Sequence, residues 1–196
     1  MGAEFELKYA ATPAWQATIL EDMGGFAPVM METTYFDTPG GALSARRITL
    51  RRRLENGVSV CTVKTPPVDG ARGEWETECE EIGVAVPILC KLGCPVDLTA
   101  LIEDGLIATC GARFTRMAKT VELGHCAVEI AVDSGVLFGG GREEALCEVE
   151  VELKSGSREE AEAYAAGLAE KYGLAPEEKS KFRRALALAR GEGNGI

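Results

Sequence analysis

The chain reads as mainly β: an antiparallel barrel of about eight strands that closes on itself, with helices added. Three observations predict that class. Much of the sequence alternates charged and apolar residues with the two-residue period of a strand, as in Glu4-Phe-Glu-Leu-Lys-Tyr9 and Cys147-Glu-Val-Glu-Val-Glu-Leu153. The breaks between such runs carry Pro-Gly-Gly, Asn-Gly and Gly-Gly-Gly, the residues that tight reversals demand. Helical periodicity is confined to a few segments with recognisable caps.

The first strand sets Glu4, Glu6 and Lys8 on one face and Phe5, Leu7 and Tyr9 on the other. Thr12-Pro13 is an N-cap followed by proline at the first helical position, opening a helix to residue 22 that Gly24-Gly25 ends. A strand follows over 29–37 and breaks at Pro39. Segments 46–55 and 58–65 form a hairpin about Asn56-Gly57. Its first arm places Thr49, Arg51, Arg53 and Glu55 on one face and Ile48, Leu50 and Leu54 on the other. A loop over 66–73 leads to a strand with Glu74, Glu76, Glu78 and Glu80 along one face. Residues 85–106 change period and predict short helices.

Strands resume over 107–123 and 126–132, the second with Glu129, Ala131 and Asp133 on one face. The glycine turn 139–141 precedes the glutamate comb. Ser157-Arg-Glu-Glu160 is a capping box for a helix that stops at Gly173. A last helix over 176–190 presents Phe182 and Leu186 on one side, Lys181 and Arg184 on another. Residues 1–190 read as one domain and 191–196 as a flexible tail.

At 196 residues, with 46% hydrophobic and 27% charged content, the sequence suffices for one full-sized core. No run approaches the roughly 18 apolar residues of a membrane helix, and the acidic first residues carry no secretory signal. Seven cysteines without Cys-x-x-Cys spacing, most of them in apolar runs, point to a reducing, cytoplasmic setting. With the single histidine His125 there is no zinc pattern, so any metal is a hard, oxygen-ligated ion: Mg²⁺ or Mn²⁺, with Ca²⁺ as a competitor. The 21 basic and 31 acidic residues give a net charge of −10, which disfavours nucleic acid as a partner. Five of those basic residues fall between Arg46 and Arg53, a compact cluster that suits a small anion.

Alternation alone leaves two barrels open. In one, the apolar faces fill the interior and the charges meet water. In the other the barrel is inverted, with helices over the apolar outer face and the charges in the lumen. Helices with apolar stripes, and acids and bases in separate rows, favour the second; the cost of burying charge favours the first.

Nine segments follow one another in register: Glu4-Phe-Glu-Leu-Lys8, Tyr35-Phe-Asp-Thr38, Leu50-Arg-Arg-Arg53, Thr62-Val-Lys64, Arg72-Gly-Glu74, Phe114-Thr-Arg116, Val128-Glu129 with Asp133, Cys147-Glu-Val-Glu150 and Ser180-Lys181. From Glu4 to about Leu188 this set resembles the CYTH superfamily, the triphosphate tunnel metalloenzymes. The resemblance implies an eight-stranded closed antiparallel barrel with helices packed outside and a charged interior. It implies a metal-dependent phosphohydrolase that acts on inorganic triphosphate or a related linear triphosphate and releases orthophosphate.

Carried over residue by residue, the anion binders would be Lys8, Arg51, Arg53, Lys64, Arg72, Arg116 and Lys181. One or two Mg²⁺ or Mn²⁺ ions would sit on Glu4, Glu6, Glu148 and Glu150, with Asp133, Glu129 and Glu74 placed for a second ion or for aligning water. Glu4, Glu6, Lys8 and Glu129 would form the catalytic set, and Glu6 and Glu148 would meet at one ion. The partner would be a small triphosphate, not nucleic acid or membrane, bound by a monomer or homodimer. The alternatives are a class IV type adenylate cyclase making cyclic AMP and pyrophosphate from ATP, a thiamine triphosphatase, and a non-catalytic polyphosphate- or nucleotide-binding module. Both Glu-x-Glu pairs being intact favours catalysis.

Overall fold

A computed structural model describes residues 5–68 and 71–192, with backbone alone for 67, 68, 71 and 72. Strand β1 (Glu6–Ala10) leads through helix α1 (Pro13–Met23) to β2 (Ala27–Asp37), the short α2 (Ala42–Ala45), β3 (Thr49–Glu55), β4 (Val58–Val68) and β5 (Ala71–Glu78). Helices α3 (Ile82–Lys91) and α4 (Leu98–Leu101) precede three long strands, β6 (Ile107–Leu123), β7 (Cys126–Gly139) and β8 (Arg142–Gly156). Helix α5 (Arg158–Tyr172), β9 (Ala175–Pro176) and α6 (Lys181–Arg190) follow.

Most of these elements form for the local reasons read above. Thr12 Oγ1 accepts the Trp15 N–H at 3.2 Å, and Ser157 Oγ accepts that of Glu160 at 3.2 Å. The capping-box carboxylate of Glu160, however, accepts from the His125 N–H at 3.0 Å and so ties α5 to the β6–β7 turn. Asn56 and Gly57 both have positive φ, 49° and 88°, as the tight hairpin requires.

Several boundaries differ. The first hairpin arm starts only at Thr49, because the Asp37 carboxylate accepts the N–H groups of Thr38, Leu43 and Ser44 and nucleates the turn of α2. β4 and β5 run through most of the expected loop, and the β7–β8 hairpin is longer than the alternation indicates. The last helix begins at Lys181, capped by Ser180, because Ala175 and Pro176 pair with β1. Of the expected tail, Gly191 caps α6 and Glu192 N–H donates to Ala187 C=O at 3.0 Å; residues 193–196 lie outside the described residues.

The strands form one antiparallel sheet in the order β5-β4-β3-β2-β6-β7-β8-β1-β9. The mainly β, helix-covered class stands, but among the described residues the sheet has nine strands and does not close, correcting the eight-stranded closed barrel. On the outer edge of β1 Tyr9 lies opposite Pro176 and the Glu177 N–H donates to Lys8 C=O at 2.9 Å, so β9 takes up part of that edge.

The sheet is inverted in the sense anticipated. Its apolar face carries Val128, Ile130, Val132, Val149 and Val151 under α1 and α5, and Ile48, Leu50, Cys61 and Val63 under α2, α3 and α4. Phe5 packs at the margin of the first cluster. Each such side chain contributes roughly 1.5–3 kcal/mol on burial, so helical cover on this face is what lets the charged face turn inward. Helix α6 is the exception to helices on the outside. Its Phe182, Leu186 and Ala189 pack on the concave face against Met31, Tyr35, Phe114, Leu137 and Leu146. The approach needs glycine at 139, where a Cβ would stand 2.6 Å from Ala185 O.

Candidate functional site

Strand register sets the concave face in rows. Glu6, Glu152 and Glu129 lie level across β1, β8 and β7; two residues along come Lys8 and Glu150, and two further Glu148, Asp133 and, on β6, Arg116. On the other half of the sheet Tyr35, Arg51, Thr62 and Glu76 are level, as are Thr49, Lys64 and Glu74. Curvature brings these halves together around a cavity of about 100 Å³. Glu6, Lys8, Glu150 and Glu152 line one side and Arg51, Arg53 and Lys64 the other; Arg116 also lines it, and Lys181 and Phe182 of α6 form its floor. Arg51, Arg53, Arg116 and Glu152 also line a wider mouth of about 870 Å³, where Glu55, Glu76, Glu129 and Lys154 are added.

The basic wall is buried. Arg51 and Arg53 have side chains only 13% exposed. Lys64 pairs with Glu74 at 3.0 Å, and Arg51 lies 3.6 Å from the same carboxylate. Arg53 Nε donates to Thr33 Oγ1 at 3.2 Å. Arg51 Nε and the hydroxyl of its cross-strand neighbour Thr62 are buried with no hydrogen-bond partner. Such a group costs roughly 1–3 kcal/mol. Burial, reinforced by the field of Arg51, pushes the Arg53 guanidinium below its ordinary pKa. Arg52, one residue away, points to the outer face and donates to Glu80 C=O at 3.1 Å.

Opposite lies a compact cage. The carboxylates of Asp133, Glu148 and Glu150 approach within 4.8 Å of one another, and Lys181 Nζ sits among them at 2.9, 2.5 and 2.6 Å. Arg116 binds Asp133 through two nitrogens, at 2.8 and 2.7 Å, and also reaches Glu150. Arg184 bridges Glu148 and Glu144. Burial works against every charge here, yet the partners win: Lys181 is held above its ordinary pKa by Glu150 and Asp133, and Arg116 by Asp133 and Glu150. Glu150 is held below the usual carboxylate range by Lys181 and Arg116.

The carboxylate-only donor set suits a hard divalent ion in kind. Within the cage, though, all six carboxylate oxygens contact Lys181, Arg116 or Arg184, so an ion there would have to displace the Lys181 ammonium. Glu6 and Glu152 fit better. They are cross-strand partners whose side chains, 34% and 26% exposed, reach the cavity beside Glu150.

The fold therefore gathers Lys8, Glu6, Arg51, Arg53, Lys64, Arg116, Lys181 and Glu150 at one cavity, puts Glu129 at its mouth, and sets Asp133 and Glu148 in the cage. Glu4 lies outside the described residues, as does the side chain of Arg72. The expected meeting of Glu6 and Glu148 does not occur: Glu148 is level with Ala10, four residues along β1, or about 13 Å at strand rise. Sequence reasoning missed the parts played by Arg184 and Gln16. Arg184 was legible as sharing a helix side with Lys181, whereas Gln16 carries no signal.

The CYTH domain family model matches residues 2–186. An inorganic triphosphatase of Haemophilus influenzae is 29% identical over 165 residues, 79% of this chain and 46% of that protein, so the chain spans about half the length of this curated relative. Among solved structures, a putative adenylyl cyclase from Hippeastrum with a dominant triphosphatase activity superposes with a TM-score of 0.65 at 19% identity, over 96% of each chain. A protein of Pyrococcus horikoshii gives a TM-score of 0.63 at 23% identity, over 93% of this chain and 98% of that one. A putative adenylate cyclase of Bacillus halodurans gives 0.61 at 16%, with the same coverage. At these identities the likeness is one of fold.

Proposed function

Because the chain belongs to the CYTH domain family, we propose that it is a divalent-metal-dependent phosphohydrolase that cleaves inorganic triphosphate, or a related linear triphosphate, to release orthophosphate. The observation that carries this reading is the buried basic wall, where Arg51 Nε and the Thr62 hydroxyl have no protein partner beside an Arg53 whose charge is disfavoured. A polyanion supplies acceptors for these groups and a charge that favours the Arg53 guanidinium. The triphosphatase relative supports the choice of reaction.

In this reading Lys8, Arg51, Arg53 and Lys64 grip the phosphate chain. Arg116, fixed by the cage, presents its remaining N–H donors from the floor, and Lys181 adds its charge there. Glu6 and Glu152, with Glu4, would hold one or two Mg²⁺ or Mn²⁺ ions. A bound ion would neutralise charge on the transferred phosphoryl group and acidify a coordinated water. Glu129, on the solvent side, aligns the attacking water. The described cysteines are all free, which supports a cytoplasmic setting, and no described helix is long and apolar enough to cross a membrane. A small-molecule substrate taken by a monomer or homodimer completes the proposal.

The wide mouth is the one feature favouring a larger substrate such as ATP or thiamine triphosphate. A product assay with tripolyphosphate, ATP and thiamine triphosphate, each with Mg²⁺ and with Mn²⁺, separates the readings. Orthophosphate and pyrophosphate from tripolyphosphate support the proposal. Cyclic AMP from ATP, or turnover of thiamine triphosphate alone, overturns it, and binding without turnover leaves a binding module.

A further inference from the structure

Gln16 and Arg184 hold the Asp133–Glu148 pair from opposite faces of the sheet, and we infer that both are positioning residues that set Lys181 and Arg116 for the anion; the inference rests on reading the cavity as an anion site. Neither residue lines that cavity. Gln16 is 4% exposed, on α1, against the apolar face. Its Nε2 donates to Asp133 C=O at 2.7 Å and to Glu148 C=O at 3.2 Å, using both amide hydrogens. Those two residues are cross-strand partners on β7 and β8, and their side chains leave the other face as two of the three carboxylates around Lys181.

An amide buried among apolar residues is costly unless fully bonded, and an aliphatic residue would pack there at no such cost. What the amide adds is a fixed spacing of two strands at the one level where their side chains carry the cage. From the concave side, Arg184 Nη1 bonds Glu148 Oε1 while Nε, at 2.9 Å, and Nη2 bond Glu144. Glu148, fully buried, gives its other oxygen to Lys181 at 2.5 Å. With Arg184 the cage holds three carboxylates and three cations. Without it, Lys181 alone balances the charge of Glu148, so less of the ammonium's charge is left for a phosphate. Without Gln16, the Asp133 and Glu148 carbonyls lose a shared buried donor, and the spacing of the two strands is no longer pinned at that level.

The test is calorimetric binding of tripolyphosphate without metal, together with thermal unfolding, for Gln16→Met, Arg184→Met, Arg184→Lys, Lys181→Met and the exposed control Arg158→Met. Gln16→Met and Arg184→Met should each weaken binding about tenfold. Arg184→Lys, which keeps the charge but not the fork, should fall between. The double variant should lose less than the product of the singles, because both act through one pair. Gln16→Asn, shorter by one methylene, replaces Gln16→Met if that variant does not fold. Lower Tm with unchanged affinity of the folded protein would mean a merely structural role and overturn the inference. Unchanged affinity in Lys181→Met as well would overturn the anion-site reading itself.

Discussion

Arg52 and Arg53 differ by one position and should differ by more than a factor of ten. The perturbation is Arg53→Met against Arg52→Met, which removes the same charge from either face of β3. Arg53 lies in the cavity wall, while Arg52 bonds Glu80 C=O outside it. A hydrogen bond to a charged partner contributes roughly 1.5–3 kcal/mol, and 1.4 kcal/mol is tenfold, so Arg53→Met should weaken tripolyphosphate binding by about 10- to 150-fold. Arg52→Met acts only through the screened field of a distant charge and should cost less than about twofold at physiological salt. Titration calorimetry at constant ionic strength reads both. Stability should move the other way. The Arg53 pKa is lowered by burial, and for a base that direction means its charge costs folding free energy at every pH below the folded value. Arg53→Met should therefore keep or raise Tm. Equal losses of affinity at the two positions, or a loss confined to Arg52, would refute the face assignment and the anion wall with it.

Glu6→Gln and Glu152→Gln should each lower turnover at low Mn²⁺ by at least the roughly 10–100-fold that even outer partners of a metal cost, with rescue by added Mn²⁺. Metal-free tripolyphosphate binding should hold or tighten, because a like charge has left; normal turnover at low Mn²⁺ would exclude both as ligands. Lys181→Met strands buried carboxylates and should cost about 3–5 kcal/mol, a Tm fall of about 6–20 °C for a chain of this size. A fall under about 2 °C would show that the cage does not depend on it. For acid stability the sign follows from Glu150, whose folded pKa lies below the usual 4.5. Its stabilisation is present above that value and is lost as pH falls through the folded one. Urea midpoints followed downward from pH 6 should thus drop below pH 4.5 in the wild type and drop less in Lys181→Met, where Glu150 has lost the main partner that lowers its folded pKa; superimposable curves would count against the coupling.

How much of this was legible depended on whether a local rule fixed it. The Thr12 and Ser157 caps, the Asn56-Gly57 turn and the facing of Arg51, Arg53, Glu129 and Glu150 follow from residue type and strand parity, and the structure keeps them. Closure of the barrel was not legible. The pairing of Ala175 and Pro176 with the outer edge of β1 is long-range, and nothing local in their sequence announces it. The side of the sheet taken by α6 was equally hidden, since its Phe182 stripe fits either face and the glycine at 139 decides. Parity correctly put Glu6 and Glu148 on the inner face but says nothing of level. Register alone separates them, and register is a long-range property of the β1–β8 pairing.

A chain of net charge −10 can hold a polyanion only by sorting its charges, and the concave face does so in three zones. In the cage, Asp133, Glu148 and Glu150 are matched by Lys181, Arg116 and Arg184. A buried ion cluster is weak as a source of stability, because desolvation offsets most of the Coulomb gain. Its merit here is geometric: it fixes the floor helix and aims two cations at the cavity without presenting net negative charge. On the basic wall Arg51 and Lys64 share the carboxylate of Glu74. The rim row of Glu6, Glu152 and Glu129 meets solvent, with Lys154 across two of its members. Hard ions such as Mg²⁺ give up water reluctantly, so a partly exposed carboxylate row at the mouth suits their entry better than a sealed cage does. The same residue types thus serve as structural countercharge, anion wall and metal rim, and what separates the three roles is depth along the strands.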